Sequence, residues 1–277
     1  MRWSAASAGP NFVYRGQPLG CPFAFWLVVQ KTGLDDGRKA LVLNKIQQYF
    51  HGRRHLHRTP EGRLVIALRA QRIDCVVDVG ANIGQTGLAL FKHGFDGKVL
   101  SFEPTSQAYK ELRETARAWP NWSVAPQMAL GTAERQVEIN LAVTSNWSSI
   151  KKVRDKTVGM KPKSRIVGQE TIDLKRLDQE VPKSVDPNDR LFVKIDTQGY
   201  EADVLEGCDG LLPSIFGFKL ELSLLALYEG EKLYDYYLRW MADRGFELWM
   251  VEDVSFSSEL GRQLQFDAVF FRPGGLS

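Results

Sequence analysis

Apolar positions change their spacing along the chain in a way that separates helices from strands. Thr59-Pro60-Glu61 sets a hydroxyl, a first-turn proline and an acid before Leu64, Ile66, Ala67 and Leu68, which predicts a helix to about Arg69. From residue 73 the spacing tightens: Ile73, Cys75, Val76, Val77 and Val79 form a short apolar run closed by Gly80, as expected of a buried parallel strand. A glycine turn and a second helix follow. Further on the pattern predicts a strand at 99–102, a helix at 107–118, a strand at 122–129 and a strand at 191–195. Phe218 to Leu222 reads as another apolar strand, and a helix is expected from about Glu231 to Asp243. Two last apolar runs, 246–251 and 266–271, resemble a closing antiparallel pair. This alternation gives an α/β class with a doubly wound, mostly parallel sheet, whose ligands collect where strands end at their C-terminal edge.

Residues 1–58 read as an N-terminal extension, with an amphipathic stretch at Leu41, Leu43, Ile46, Tyr49 and Phe50 before the basic tract His51 to Arg58. Residues 59–277 form the main domain. Within it, 136–174 reads as an insertion, two β-like segments around a polar centre. That centre, 150–165, holds Lys151, Lys152, Arg154, Lys156, Lys161, Lys163 and Arg165 against Asp155 alone. Because the whole chain carries a formal charge of only +3, the remainder is acidic on balance. The segment therefore suggests a lid that attracts an anionic acceptor, or simply a solvated loop.

Composition removes several classes. With 44% hydrophobic and 25% charged residues the chain is neither disordered nor coiled coil. Its longest apolar run, Phe23 to Val29, is far short of the ~20 residues that span a bilayer. Met1 to Pro10 lacks a basic start followed by an apolar core, so a cytoplasmic location is expected. Cys21, Cys75 and Cys208 contain no CxxC pair, and no ligand spacing demands a metal.

The richest chemistry lies in Asp78-Val79-Gly80-Ala81-Asn82-Ile83-Gly84-Gln85. Gly80 and Gly84 allow a sharp strand-to-helix turn close to a ligand, and Asn82 tolerates the left-handed conformation between them. Counting from Gly80, the nicotinamide pattern GxGxxG fails at Asn82 and Gln85. The segment instead matches D-x-G-x-G-x-G with Asn in the middle, and Ser101-Phe102-Glu103-Pro104 places a carboxylate at the end of the next strand, where it can accept two ribose hydroxyls.

Together with Ala129-Leu130-Gly131, Ser148-Ser149, Thr171-Ile172-Asp173, the block Lys194-Ile195-Asp196-Thr197-Gln198-Gly199-Tyr200-Glu201, Tyr228-Glu229-Gly230 and Phe266-Asp267-Ala268, these motifs resemble the FkbM-like family of class I methyltransferases over roughly 64–271. The resemblance implies a Rossmann-like fold with a seven-stranded sheet, S-adenosylmethionine as methyl donor, and transfer usually to a hydroxyl oxygen of a carbohydrate or natural product. It assigns Asp78, Gly80, Asn82, Gly84 and Glu103 to the donor. Met128 and Ala129 are candidates for the adenine pocket, or plain core.

Asp196 ends the strand 191–195 and is the leading candidate for the base that takes the acceptor proton; equally, it can bind the donor's amino group or brace the turn after it. Glu221, a carboxylate inside an apolar strand, is a second catalytic candidate, or pairs with Lys194 or Lys219. Glu201 reads as a charge at a helix start. Two other readings remain: an RNA methyltransferase, suggested by the basic tracts but without aromatic interleaving, so that nucleic acid is not the expected partner, and a non-catalytic donor-binding protein.

Overall fold

A computed structural model describes residues 56–274. Residues 1–55, with most of the expected extension, lie outside the described residues. Helix α1 (Pro60–Ala70) leads into β1 (Cys75–Val79), followed by α2 (Gln85–Lys92), β2 (Lys98–Phe102), α3 (Ser106–Ala116) and β3 (Trp122–Val124). Next come β4 (Ala129–Gly131), β5 (Arg135–Ala142), α4 (Asp155–Met160), β6 (Ile166–Arg176) and α5 (Leu177–Glu180). The last elements are β7 (Leu191–Ile195), α6 (Glu201–Glu206), β8 (Ile215–Ser223), α7 (Tyr234–Asp243), β9 (Glu247–Ser257) and β10 (Arg262–Phe271).

Seven strands form one sheet in the order β3-β2-β1-β7-β8-β10-β9. Pairing is parallel from β3 through β8, and β10 runs antiparallel to both β8 and β9. The two-residue repeat of the strands explains why both faces are covered. In β1, Val77 and Val79 pack into one apolar cluster with Leu100, Phe102 and Val193, while Val76 packs into another with Leu68, Val99 and Phe192. Burial of such side chains is worth about 1.5–3 kcal/mol each. Chain reversal after β1 and crossing to β7 puts the strand-order switch at the C-terminal ends of these two strands, where a crevice opens.

Three sequence expectations change. The strand expected at 122–129 is two strands: Trp122–Val124 joins the main sheet beside β2, whereas Ala129–Gly131 joins a separate sheet of order β4-β6-β5. Pro126 between them has no N–H for a ladder, and the chain turns there. The C-terminal helix begins at Tyr234, three residues late, because Glu231 stays in the loop and its carboxylate accepts the Leu227 N–H at 2.6 Å.

The basic segment 150–165 is clasped, not a free lid. Val153 is buried and bridges Tyr228, Arg154 N–H donates to the Leu227 carbonyl at 2.9 Å, and Thr157 Oγ1 donates to the same carbonyl at 2.9 Å. Among the described residues no helix is long and apolar enough to cross a membrane.

Candidate functional site

A cleft opens at the C-terminal ends of β1, β2 and β7, about 650 Å³ including the solvent space of its mouth. Gly80, Asn82, Glu103, Met128, Ala129 and Asp196 all line it. The strand ends place them there: Gly80 and Ala81 both donate N–H to the Phe102 carbonyl at 3.0 Å, and Asp196 donates N–H to the Val79 carbonyl at 3.1 Å.

Gly80 is a packing requirement. Its φ is +75°, and a Cβ there would lie 2.0 Å from the Asp196 carbonyl oxygen. Asn82 follows with φ 49° and donates its N–H to Glu103 Oε2 at 2.8 Å. The other Glu103 oxygen accepts Thr105 N–H at 2.9 Å and Thr105 Oγ1 at 2.6 Å. Loss of hydration pushes the Glu103 carboxyl above its ordinary range, while the bonds from Thr105 and Asn82 pull it back. Oε1 thus accepts two bonds already, whereas Oε2 accepts one and keeps acceptor capacity. Ser145 Oγ closes the rim by donating to Asn82 Oδ1 at 2.8 Å.

Asp78 and Gly84 belong to the same motif but not to the cleft lining. Asp78 is fully buried, and its partner is Lys194, 3.1 Å away and itself nearly buried. Burial raises the Asp78 carboxyl, opposed by Lys194. Burial would strip the Lys194 proton, but Asp78 and Asp196 outweigh it and hold the ammonium above its ordinary range. Lys194 also donates to the Gly80 carbonyl at 3.2 Å and lies 3.5 Å from Asp196 Oδ2, so one cation ties the first glycine to both acids. Asp78 and Lys194 thus form an interior ion pair beneath the loop. Gly84, at φ 96°, turns its open side to Trp122 and Leu112, where it permits close helix packing.

After Asp196 the chain makes a tight turn, with Gln198 at φ 56° and Gly199 at φ 90°. Glu201 holds this turn: its Oε1 accepts N–H from Thr197 at 2.9 Å and from Gly199 at 3.1 Å. Burial pushes this carboxyl up to about 7. The Gln198 amide donates to Asp196 Oδ1 at 2.7 Å and to Glu221 Oε2 at 2.8 Å.

Glu221 therefore sits one side chain behind the cleft. Its other partner is Gln265 Nε2 at 2.7 Å, and neither expected lysine reaches it. Lys194 is taken by Asp78 and Asp196, and Lys219 by Glu252 at 3.0 Å and Asp267 at 2.9 Å. Desolvation, then the charges of Asp196, Asp267 and Glu201, hold the Glu221 carboxyl well above the usual range.

Sequence reasoning missed Lys194 as partner of Asp78, and gave Gln198 and Tyr228, though both lie in its motifs, no side-chain role. A lysine amid Leu191, Phe192, Val193 and Ile195 was a readable signal, since an apolar strand buries a charge only against a partner. Nothing in sequence pointed to the long-range Tyr228 contact.

The residues that meet here can hold a nucleoside-bearing methyl donor: a carboxylate at the end of β2 for vicinal hydroxyls, a glycine cradle with no room for a side chain, and an apolar wall at Met128 and Ala129. The profile of the Methyltransferase FkbM domain matches residues 78–248. No curated protein matches the chain. Among solved structures, the chain is similar to a precorrin-6y C5,15-methyltransferase from Geobacter metallireducens, with 10% identity, TM-score 0.40, and 75% of this chain and 86% of that chain covered. It is also similar to an rRNA methylase from Streptococcus thermophilus, with 13% identity, TM-score 0.43, and 77% of this chain and 96% of that chain covered.

Proposed function

The chain belongs to the FkbM methyltransferase family and so uses S-adenosylmethionine, and from that premise we propose that it methylates a hydroxyl oxygen of a carbohydrate or natural product. The observation that carries this reading is the carboxylate of Asp196, partly exposed in the cleft that also holds Gly80, Asn82 and Glu103. Glu103 accepts the ribose hydroxyls of the donor, the backbone around Gly80 and Asn82 receives its methionine end, and Met128 and Ala129 flank the adenine. Asp78 and Gly84 act from behind, through the Lys194 ion pair and the helix packing. The donor's sulfonium supplies an activated methyl group.

The protein's own work is to hold the acceptor oxygen at ~3–3.5 Å in line with that methyl and to take its proton. Asp196 is the proton acceptor, and general-base help of this kind is worth about 10²–10⁴ in rate. Glu221 supports Asp196 through Gln198 instead of touching the acceptor.

No lysine or arginine is among the residues lining the cleft. In the basic segment Lys151 lies 3.4 Å from Asp203, Lys152 3.6 Å from Glu229, and Lys161 donates to the Phe256 carbonyl at 3.2 Å, while Arg154, Lys156, Lys163 and Arg165 stay exposed outside the cleft lining. An acceptor uncharged around its reacting hydroxyl fits this lining.

Methyl-labelled S-adenosylmethionine incubated with fractionated cellular glycans, small metabolites and RNA, followed by mass spectrometry, tests the reading. Label is expected in the uncharged glycan or metabolite fractions. Label confined to RNA would refute the acceptor class, and donor binding with no labelled product in any fraction would favour a non-catalytic role. Asp196→Asn should keep S-adenosylhomocysteine binding and lose transfer about 10²–10⁴-fold; full transfer would remove Asp196 as base.

A further inference from the structure

Gln198 is the only described non-glycine residue of the turn after β7 with a positive φ, at 56°. A bulky side chain in that conformation is uncommon, and such strain persists only where the surroundings hold it. Its surroundings do. The Gln198 backbone carbonyl accepts Ser149 Oγ at 2.7 Å, and next to it a Cβ on Gly199 would meet the Tyr228 ring at 2.9 Å.

Both amide hydrogens and the carbonyl oxygen of the side chain are engaged. Nε2 donates one hydrogen to Asp196 Oδ1 and one to Glu221 Oε2, and Oε1 accepts the Tyr228 hydroxyl at 2.9 Å. Rotating the amide by half a turn would bring its carbonyl oxygen against two carboxylate oxygens and lose both bonds. One orientation alone serves both acids, and the phenol is the group that selects it from the carbonyl side.

Tyr228 is suited to that task. It has no exposed surface and packs with Val153, Leu227 and Leu264, a small cluster that also anchors the basic segment. Its next acceptor, the Trp147 carbonyl, is farther away at 3.3 Å. Burial, followed by the charges of Glu221, Glu201 and Asp196, pushes the phenol well above its ordinary range, so it stays a protonated donor.

We propose that Tyr228 is a positioning residue for methyl transfer: its hydroxyl fixes the Gln198 amide, and that amide holds the Asp196 carboxylate toward the acceptor while tying it to Glu221. The proposal rests on the reading of Asp196 as the base. Without the phenol, the amide carbonyl loses its donor, and the amide's hold on Asp196 Oδ1 loosens. The nearest remaining partner, Lys194 at 3.5 Å from Oδ2, then draws the carboxylate inward. Glu221 then relies more on its bond from Gln265 than on the loosened one from Gln198.

The test uses the full chain saturated with S-adenosylhomocysteine and labelled at glutamate carboxyl carbons. The Glu221 signal is assigned by its loss in Glu221→Gln, and its titration is followed by NMR. Tyr228→Phe removes one oxygen and is expected to move the Glu221 midpoint upward by about one pH unit, the scale of one lost bond to a carboxylate. Gln198→Ala should move it at least as far, and adding Tyr228→Phe to Gln198→Ala should move it no further. Donor affinity should stay within twofold, and transfer to the labelled fraction should fall roughly tenfold in Tyr228→Phe, one such bond's worth of misplacement. An unmoved Glu221 midpoint in Tyr228→Phe, or the same shift in the Gln198→Ala background, overturns the proposal. Loss of the Asp196 reading registers separately, as undiminished transfer in Asp196→Asn.

Discussion

Replacing Glu103 by glutamine changes one atom and tests whether the carboxylate both shapes the loop and takes the donor ribose. Glu103 Oε2 accepts the Asn82 N–H at 2.8 Å, and Oε1 accepts both Thr105 donors. A glutamine can keep its oxygen toward Thr105 only by presenting NH₂ to the Asn82 N–H, donor against donor. Leaving that N–H unpaired costs about 1–3 kcal/mol. Exchanging charged for neutral acceptors toward the ribose costs about another 1 kcal/mol. The first cost falls on free and bound protein alike and so appears as lost stability; the second alone enters binding and corresponds to a roughly fivefold weaker Kd. Calorimetry with S-adenosylhomocysteine reads this directly, since the product shares the nucleoside and needs no acceptor. Wild-type affinity should also fall on acidification as the raised Glu103 carboxyl takes up a proton, and Glu103→Gln should lack that dependence. A Kd within threefold of wild type, with the same pH dependence, would refute the assignment of the ribose to this residue.

Three further outcomes follow from the same geometry. Gly80→Ala places a Cβ 2.0 Å from the Asp196 carbonyl; forcing β1 and β7 loop ends apart by about 1 Å should cost at least ~10² in transfer rate, whereas wild-type turnover with intact folding would contradict the tight cradle. Lys194→Met strands Asp78, which is 0% exposed, and should lower urea stability by about 3–5 kcal/mol; Lys194→Met with Asp78→Asn should recover much of it, and no recovery would count against the ion pair. Glu201 is raised when folded, from 4.5 to about 7, so the native state binds the extra proton and stability falls as pH rises through that window, by up to about 3 kcal/mol; Glu201→Gln should flatten the slope, and an unchanged slope in urea titrations would assign it elsewhere.

Legibility from sequence followed the range of the interactions. The runs 75–79 and 191–195 declare buried parallel strands because every neighbour is apolar, and the glycine and asparagine positions of 80–84 declare a turn because few other residues tolerate it. The split of 122–129 was legible in Pro126, whose missing donor outranks the β-like composition around it. Charge was harder to read. Seven basic residues in 150–165 look like one functional field, yet the fold takes Lys151, Lys152 and Lys161 into local pairs and buries Val153 against Tyr228. Linear charge density measures a potential field only if the side chains stay free.

The site shows the same division between local and distant information. Glu103, Asn82 and Thr105 lie in the loops after two consecutive strands, β1 and β2, and their mutual bonds follow from that short-range βαβ connection. The group around Asp196 is assembled from four separate places: Lys194 and Gln198 beside it, Glu221 on β8, Gln265 on β10 and Tyr228 in the loop between β8 and α7. Only the antiparallel return of β10 beside β8 brings Gln265 opposite that carboxylate edge, its register partner being Ser223. On the proposed assignment, the donor half of the cleft is built by a portable motif, while the half assigned to the acceptor proton depends on the whole sheet closing correctly. Perturbations at the β8–β10 pairing should accordingly leave donor binding intact and disturb transfer, which is why donor affinity and transfer rate have to be measured separately in every variant.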